Sequence, residues 1–278
     1  MGLTFDHVKL SRSHQRVADY ILKNIEGIPF MVEEDIASAC EVSVSTVSRF
    51  WAEIDCRNLK EFKHRVKKEG LVSPSLKLQV AFERMEEQGS AAAQMLDTLH
   101  YVQQTAERLD QHEFDKAVRA LVEAGTIHVY APGSARSLAT LLEFRLTRFG
   151  NRIRMIEHGG HELLESLIHM RNGDTLVLFG FVAESPELAT LFDYAPQCGC
   201  RTLLITDLAV SDMRQKADIT LYSARGEVWE FHSMAAPLIL LESLIVAVGK
   251  SQEQRALRHS EQLHRVRRQY SKWLPKRV

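Results

Sequence analysis

Residues 33–54 read EEDIASACEVSVSTVSRFWAEI and crowd the hydroxyls of Ser43, Ser45, Thr46 and Ser48 beside the guanidinium of Arg49. Small hydrogen-bonding groups and one cation, presented together from the start of a helix, suit the base edges of a DNA major groove. The next run, RNLKEFKHRVKK at 57–68, sets Arg57, Lys60, Lys63, Arg65, Lys67 and Lys68 against the single acid Glu61. Such a cluster matches phosphate oxygens, which position a protein on a duplex without reading its sequence. A second set of polar groups lies in IHVYAPGSARSLATLLEFRL at 127–146, where a β-type apolar run breaks at Pro132-Gly133-Ser134 and passes into a helical pattern. A helix N-terminus there offers N–H groups and a positive dipole end to an anion, and Ser134, Arg136 and Ser137 add hydroxyls and charge. Every βα corner does the first of these things, so the corner alone leaves open a ligand loop and a plain turn.

The elements that must hold these groups follow from periodicity. A short helix over about 33–39, the turn Cys40-Glu41-Val42 and a helix starting after Ser43 form a helix-turn-helix, with Ile36, Ala37, Val42, Val47, Trp51 and Ile54 sharing a core and Ser43 as N-cap. The alternative is an ordinary helical bundle with a solvated basic face; the turn, cap and charge signals together favour DNA. Helical patterns continue over 78–88, 91–109 and 113–124. From 126 onward, the strands TIHVYA, RIRMI, DTLVLFGF, RTLLIT and DITLYS alternate with helices, ending in a long helix over 232–249. That alternation predicts an α/β domain: a doubly wound parallel sheet with helices on both faces, whose ligands bind at the carboxyl ends of the strands. The loops after 131, 157, 180 and 206 are therefore the candidate site. The expected division is an all-α DNA-binding domain at 1–77, connecting helices at 78–110, and a sensing and oligomerisation domain at 111–278.

The 278 residues are 45% hydrophobic and 26% charged, which excludes a disordered or fibrous chain. The formal net charge of -1 leaves a nucleic-acid surface to local clustering. The start, MGLTFDHVKL, lacks a signal-peptide pattern, and no apolar run approaches the roughly 20 residues of a membrane span; a cytoplasmic protein without membrane contact is expected. Cys40, Cys56, Cys198 and Cys200 lack disulfide-scaffold or CxxC spacing and read as reduced thiols.

The segments LSRSHQRVADYILKN (10–24), the Ile36-Ala37 pair, VSVSTVSRF (42–50) and LKEFK (59–63) resemble the N-terminal domain of the RpiR-type bacterial transcription regulators. The resemblance runs in matching order over nearly the whole chain. It implies a helix-turn-helix joined to a sugar isomerase (SIS) domain that senses a sugar phosphate, in a homodimer or homotetramer on palindromic operator DNA, with no cofactor and no catalysis. Four departures stand out. Glu41 occupies a turn position where the family has Gly. The family pattern Gly-x-Gly-x-Ser falls on Ala131-Pro132-Gly133-Ser134-Ala135. The pattern Ser-x-Ser-Gly-x-Thr-x-Glu falls on 180–187, where Gly180 and Val182 replace both serines while Ser185 and Glu187 match the Thr and Glu. Glu184 adds a negative charge there.

Loss of these hydroxyl donors, with Glu184 nearby, disfavours a dianionic phosphate. Arg136 and Arg225 are the candidate replacements, and a carboxylate held by guanidinium groups becomes as good a reading as a sugar phosphate. His161 stands where the family has a ligand-facing His, or else caps the following helix; Glu157, His158 and His161 do not complete a metal set. The segment SARGEVWEFHSM (223–234), carrying Arg225, Glu230 and His232, closes over a ligand or lies in a dimer interface. The basic C-terminal run QEQRALRHSEQLHRVRRQYSKWLPKRV reads as a helix packing on a partner subunit, with nucleic-acid contact as the alternative. The expected function is a DNA-binding regulator answering a small-molecule effector. The alternatives are a sugar-phosphate isomerase with Glu187 or His161 as base, and a DNA-binding protein whose SIS domain is only a scaffold.

Overall fold

The computed structural model describes residues 10–24, 27–28, 31–68, 74–181, 183–208, 211–226 and 230–274. The chain divides into two units, Met1–Ser90 with Glu227–His232, and Ala91–Gly226 with Ser233–Val278.

The first unit carries α1 (Arg12–Lys23), α2 (Glu33–Ala39), α3 (Val44–Glu53), α4 (Leu59–Lys68) and α5 (Pro74–Gln88). Val17 and Ile21 of α1, Ile36 and Ala37 of α2, Val47, Phe50 and Trp51 of α3, and Phe62 of α4 meet in one core. In α3 the buried positions recur at three- and four-residue intervals, which turns one stripe inward and leaves Ser45, Ser48 and Arg49 outside. Trp51 lies 5.1 Å from Phe62 and 5.3 Å from Phe50 between ring centroids, so the largest side chains of the unit pin α3 to α4. The α2–α3 turn passes through Glu41 at φ 51, a left-handed conformation that disfavours a side chain. Arg16 of α1 holds it by donating to the Glu41 carbonyl at 2.9 Å, and Val42 N–H closes the turn on the Ala37 carbonyl at 3.0 Å.

The second unit begins with α6 (Ala91–Glu107) and α7 (Gln111–Glu123), followed by β1 (Ile127–Tyr130), α8 (Arg136–Arg148), β2 (Ile153–Ile156) and α9 (Glu162–Leu167). It continues with β3 (Thr175–Phe179), α10 (Pro186–Gln197), β4 (Arg201–Thr206), α11 (Asp212–Lys216), β5 (Ile219–Tyr222), α12 (Ala235–Ser251) and α13 (Glu253–Gln269). The strands form one parallel sheet in the order β2-β1-β3-β4-β5. Along β3, Val177 and Phe179 join the core built with α7, α8 and α12, while Leu176 and Leu178 join the core built with α9 and α10. A strand apolar on both faces needs helices on both, and the doubly wound α/β arrangement follows. The α/β layout and its strands match the sequence expectation. The structure adds the short α11, replaces the first turn of the helix expected from 134 by a 3-10 turn at Gly133–Ala135, and starts the long helix α12 at Ala235. Among the described residues no single helix is long and apolar enough to cross a membrane.

One polar side chain interrupts the apolar strands. His128 of β1 is buried, its Nε2 3.1 Å from Asp174 Oδ2, while Nδ1 has no partner. Asp174 also accepts the N–H groups of Thr126 at 2.8 Å and Arg171 at 2.9 Å, tying the starts of β1 and β3 together. Burial drives the His128 pKa below its ordinary value, and the hydrogen bond that His128 makes to the Asp174 carboxylate only partly opposes this. A His depressed in the folded state takes up its proton more readily when unfolded, so its contribution is complete above the unfolded value of about 6.5 and is lost as pH falls below it. The melting temperature of the second unit's transition is expected to fall between pH 7.5 and 5, and His128→Gln to flatten that slope; calorimetry across this range is the check.

Candidate functional site

In the first unit, Ser43 caps α3 by accepting the Thr46 N–H at 3.2 Å, and its hydroxyl lies 2.8 Å from those of Ser45 and Thr46. The three hydroxyls thus form one cluster at the helix start. Ser48 is engaged otherwise: its hydroxyl donates to Glu33 Oε2, and the other oxygen of the same carboxylate accepts Trp51 Nε1–H at 2.8 Å. Glu33, at the first position of α2, therefore clamps α3 from the solvent face and from the core at once. Arg49 is exposed, with Nε donating to the Ser45 carbonyl at 3.2 Å. Lys60 is exposed, Lys63 Nζ donates to the Met31 carbonyl at 2.8 Å, and Arg57 lies 3.6 Å from Glu61, which also receives the Arg57 N–H at 2.8 Å. The side chains of Arg65, Lys67 and Lys68 lie outside the described residues.

In the second unit, the strand order turns back between β1 and β3: the chain leaves β1 toward β2 and leaves β3 toward β4. This opens a crevice at the carboxyl ends of β1 and β3, between the loops at 131–135 and 180–185. Gly133 enters the 3-10 turn at φ 60, no side chain caps that turn, and Ser134, Arg136 and Ser137 are exposed beside it. Ser137 donates back to the Ser134 carbonyl at 2.8 Å, and Arg136 donates across to the Glu157 carbonyl at 3.2 Å. On the opposite side, Ser185 caps α10 by accepting the Leu188 N–H at 3.2 Å, and its hydroxyl neighbours that of Tyr130 at the end of β1. Burial raises the Tyr130 pKa. Glu187 accepts the Gly160 N–H at 3.4 Å; bonds from its own N–H, then from Ser185 and Gly160, hold its carboxyl below the ordinary range. Tyr130, Gly160, Ser185 and Glu187 thus join β1, the β2 loop and α10 across the crevice.

Several expected groups stand differently. A Cβ on Gly180 would lie 2.9 Å from Leu204 Cδ1 and 3.1 Å from Met213 Sδ, so that position is closed to a side chain by packing. Val182 lies outside the described residues. The charge of Glu184 is not left facing the crevice, because Lys216 Nζ sits 2.7 and 2.8 Å from its two oxygens. Arg225 is buried, 4.1 Å over the Phe181 ring and 3.5 Å from Asp207 Oδ2, with Nε unpartnered; burial lowers its pKa against the opposing pull of Asp207. The two candidate arginines are therefore anchored separately, Arg136 beside β2 and Arg225 between the β3 and β4 loops. His161 is exposed and makes no side-chain cap to α9, while His158 pairs with Glu162 at 3.1 Å. Among the described residues no group of three metal-ligating side chains gathers. Cys200 is buried and its thiol is pushed up to about 12, chiefly by burial, which keeps it protonated. Sequence reasoning missed Tyr130, Lys216 and Glu33. Tyr130 had a signal, a polar tip on the last residue of an apolar strand, whereas Lys216 and Glu33 act through contacts distant in sequence.

Two family models cover most of the chain: the helix-turn-helix domain of the rpiR family matches residues 3–71, and the SIS domain matches residues 120–256. The chain belongs to the rpiR family. This rpiR-family chain is 28% identical over 247 residues to the bifunctional protein Glk of Paraburkholderia xenovorans, covering 86% of the chain but only 38% of that protein. It is 24% identical over 242 residues to the uncharacterized HTH-type transcriptional regulator YbbH of Bacillus subtilis, covering 86% of the chain and 84% of the relative. Among solved structures, it shares its fold with the NanR protein of Vibrio vulnificus complexed with ManNAc-6P, at a TM-score of 0.58 and 20% identity over 93% of each chain.

Removing the Glu33 clamp leaves the fully buried Trp51 without its indole partner. Glu33→Ala is expected to cost about 1–3 kcal/mol in urea unfolding of the first unit, and Glu33→Gln, which keeps an acceptor for the indole, to recover part of that loss.

Proposed function

We propose that the chain is a cytoplasmic transcription regulator that binds operator DNA through α3 and the start of α4. A small acidic metabolite entering the β1/β3 crevice shifts its DNA-bound population. The observation that carries this reading is the conjunction, on one rpiR-family chain, of a capped helix with an exposed polar face and a parallel sheet with a polar crevice at its switch point. Ser43, Ser45 and Thr46 are assigned to the DNA backbone and Arg49 to a base; Lys60 supplies a phosphate contact directly, and Arg57 and Lys63 do so once their protein partners yield. The crevice contacts assigned to the effector are Gly133, Ser134, Arg136 and Ser137 on one side, and His161, Ser185 and Glu187 on the other. Gly180, Glu184 and Arg225 shape its rim rather than reach into it, since packing or ion pairs occupy them.

NanR binds a sugar phosphate, which supports a phosphosugar effector. The scarcity of hydroxyls not already bonded to the protein at 133–137 and 180–185 supports a carboxylate. The name of the YbbH relative supports regulation, and the chain spans 38% of the length of the Glk relative it matches. An isomerase reading draws less support. A proton-transferring base works best with a pKa near the operating pH, and the hydrogen bonds on Glu187 move it the other way. The exposed α13, which buries none of its residues, supports a homo-oligomer built through that helix.

The effector must favour one DNA-binding state over the other for any response to occur. Fluorescence polarisation on DNA flanking the protein's own gene is expected to show specific, salt-sensitive binding that Arg49→Ala weakens about tenfold or more; unchanged binding by that variant would remove α3 from the reading. In a thermal-shift panel of phosphosugars, sugar acids and other carboxylates, a ligand that stabilises the wild type should lose its effect in Arg136→Ala. Turnover of any phosphosugar that disappears in Glu187→Gln would turn the reading to an enzyme.

A further inference from the structure

Resting on the DNA-binding reading above, we propose that Val44 reads a thymine methyl group, that Arg49 reads a guanine, and that Ser48 is silent in sequence recognition. Val44 is the first residue of α3, and it is the first turns of such a helix that meet base edges. It is 38% exposed, whereas Val47, the same residue type one turn later, is fully buried in the core. The apolar side chain at the tip of α3 therefore faces outward among hydroxyls that are already committed. Ser43 is spent on the cap, and Ser45 and Thr46 are bonded to its oxygen at 2.8 Å. Ser48 points along the same exposed face but donates to Glu33, and the Trp51 indole fixes that carboxylate from behind.

Outside that hydroxyl cluster and the Glu33 contact, the exposed face offers a branched apolar group and a guanidinium whose Nε is turned back to the Ser45 carbonyl. In the major groove an apolar contact selects the C5-methyl of thymine, and an arginine fork selects the O6 and N7 of guanine. At 1.5 Å per residue the two side chains are rooted about 7.5 Å apart along the helix. The thymine and the guanine are therefore expected within about two base-pair steps of each other, at a rise of about 3.4 Å per step.

The test uses the full chain and duplexes selected from a randomised library. Each thymine of the selected consensus is replaced singly by uracil, which lacks the methyl group, and each guanine by 7-deazaguanine, which lacks N7. The wild type is expected to lose about fourfold in affinity at one uracil position, the value of one buried methyl group. Val44→Ser should be indifferent to uracil at that position, Arg49→Ala should be indifferent to the 7-deazaguanine that weakens the wild type, and Ser48→Ala should select the same consensus as the wild type. Cooperative melting transitions and wild-type circular dichroism establish that the variants are folded, a small loss of stability in Ser48→Ala being expected from its bond to Glu33. A Val44→Ser protein that keeps the full uracil sensitivity, or a Ser48→Ala protein with an altered consensus, overturns the assignment while leaving DNA binding in place. Failure of the wild type to select any consensus removes the DNA-binding reading itself, and the assignment with it.

Discussion

The second unit depends on the double-sided burial of β1 and β3. All residues of both strands are buried, and each strand contributes to two separate cores. The parallel neighbours of such a strand cannot be reached by a hairpin; each step needs a crossover, and covering both faces needs helical crossovers first on one face and then on the other. The chain therefore has to reverse its direction of travel across the sheet somewhere. It does so between β1 and β3, and the loops that leave those strands diverge. The crevice is a by-product of covering both faces, and the polar groups around it are those that could be placed there without disturbing the cores. Tyr130 shows the limit of that freedom, with its ring in the core beside Leu178 and Leu188 and its hydroxyl beside Ser185 at the rim.

The first unit solves a different problem. Four short helices offer little area, so the core relies on Trp51, Phe50 and Phe62 as its largest side chains, and the indole N–H that comes with the tryptophan must be satisfied. Glu33 does this from the first turn of α2, where a carboxylate is also favoured by the helix dipole. The same carboxylate then has a second oxygen to dispose of, and Ser48 takes it. A requirement of the core thus reaches the outer face of α3 and decides which of its side chains are available.

The layout of both units was legible in the sequence because it is written in periodicity. Alternating residues such as Leu176 and Val177 are apolar on both faces of β3, and the three- and four-residue spacing of Val47, Phe50, Trp51 and Ile54 marks one stripe of a helix. The cap of α3 was legible too, since Ser43 precedes the helix at the position where a side-chain oxygen finds an N–H, whereas Ser185, read only as a ligand group, proves to cap α10. What the sequence concealed were pairings between residues far apart along the chain. Nothing near Glu184 announces Lys216, nothing near Arg225 announces its stacking on Phe181, and Ser48 reads as an exposed hydroxyl until Glu33 is seen beside it. The charge expected at the crevice changed for that reason, and so did the roster of groups on α3. The short α11 escaped because five residues are too few to establish a period.

Glycines around the crevice are held for different reasons. At Gly180 the obstacle is volume, since Leu204 and Met213 occupy the space of a side chain. At Gly133 and Gly160 a Cβ would meet nothing within 4 Å, yet the backbone stands at φ 60 and 59. These two positions are restricted by handedness alone. An L-alanine at either position would find room for its side chain and would be opposed by the backbone alone, at the roughly 1–2 kcal/mol that the left-handed region costs a residue with a Cβ. The lip of the crevice has space for substituents; its handedness is what keeps them out.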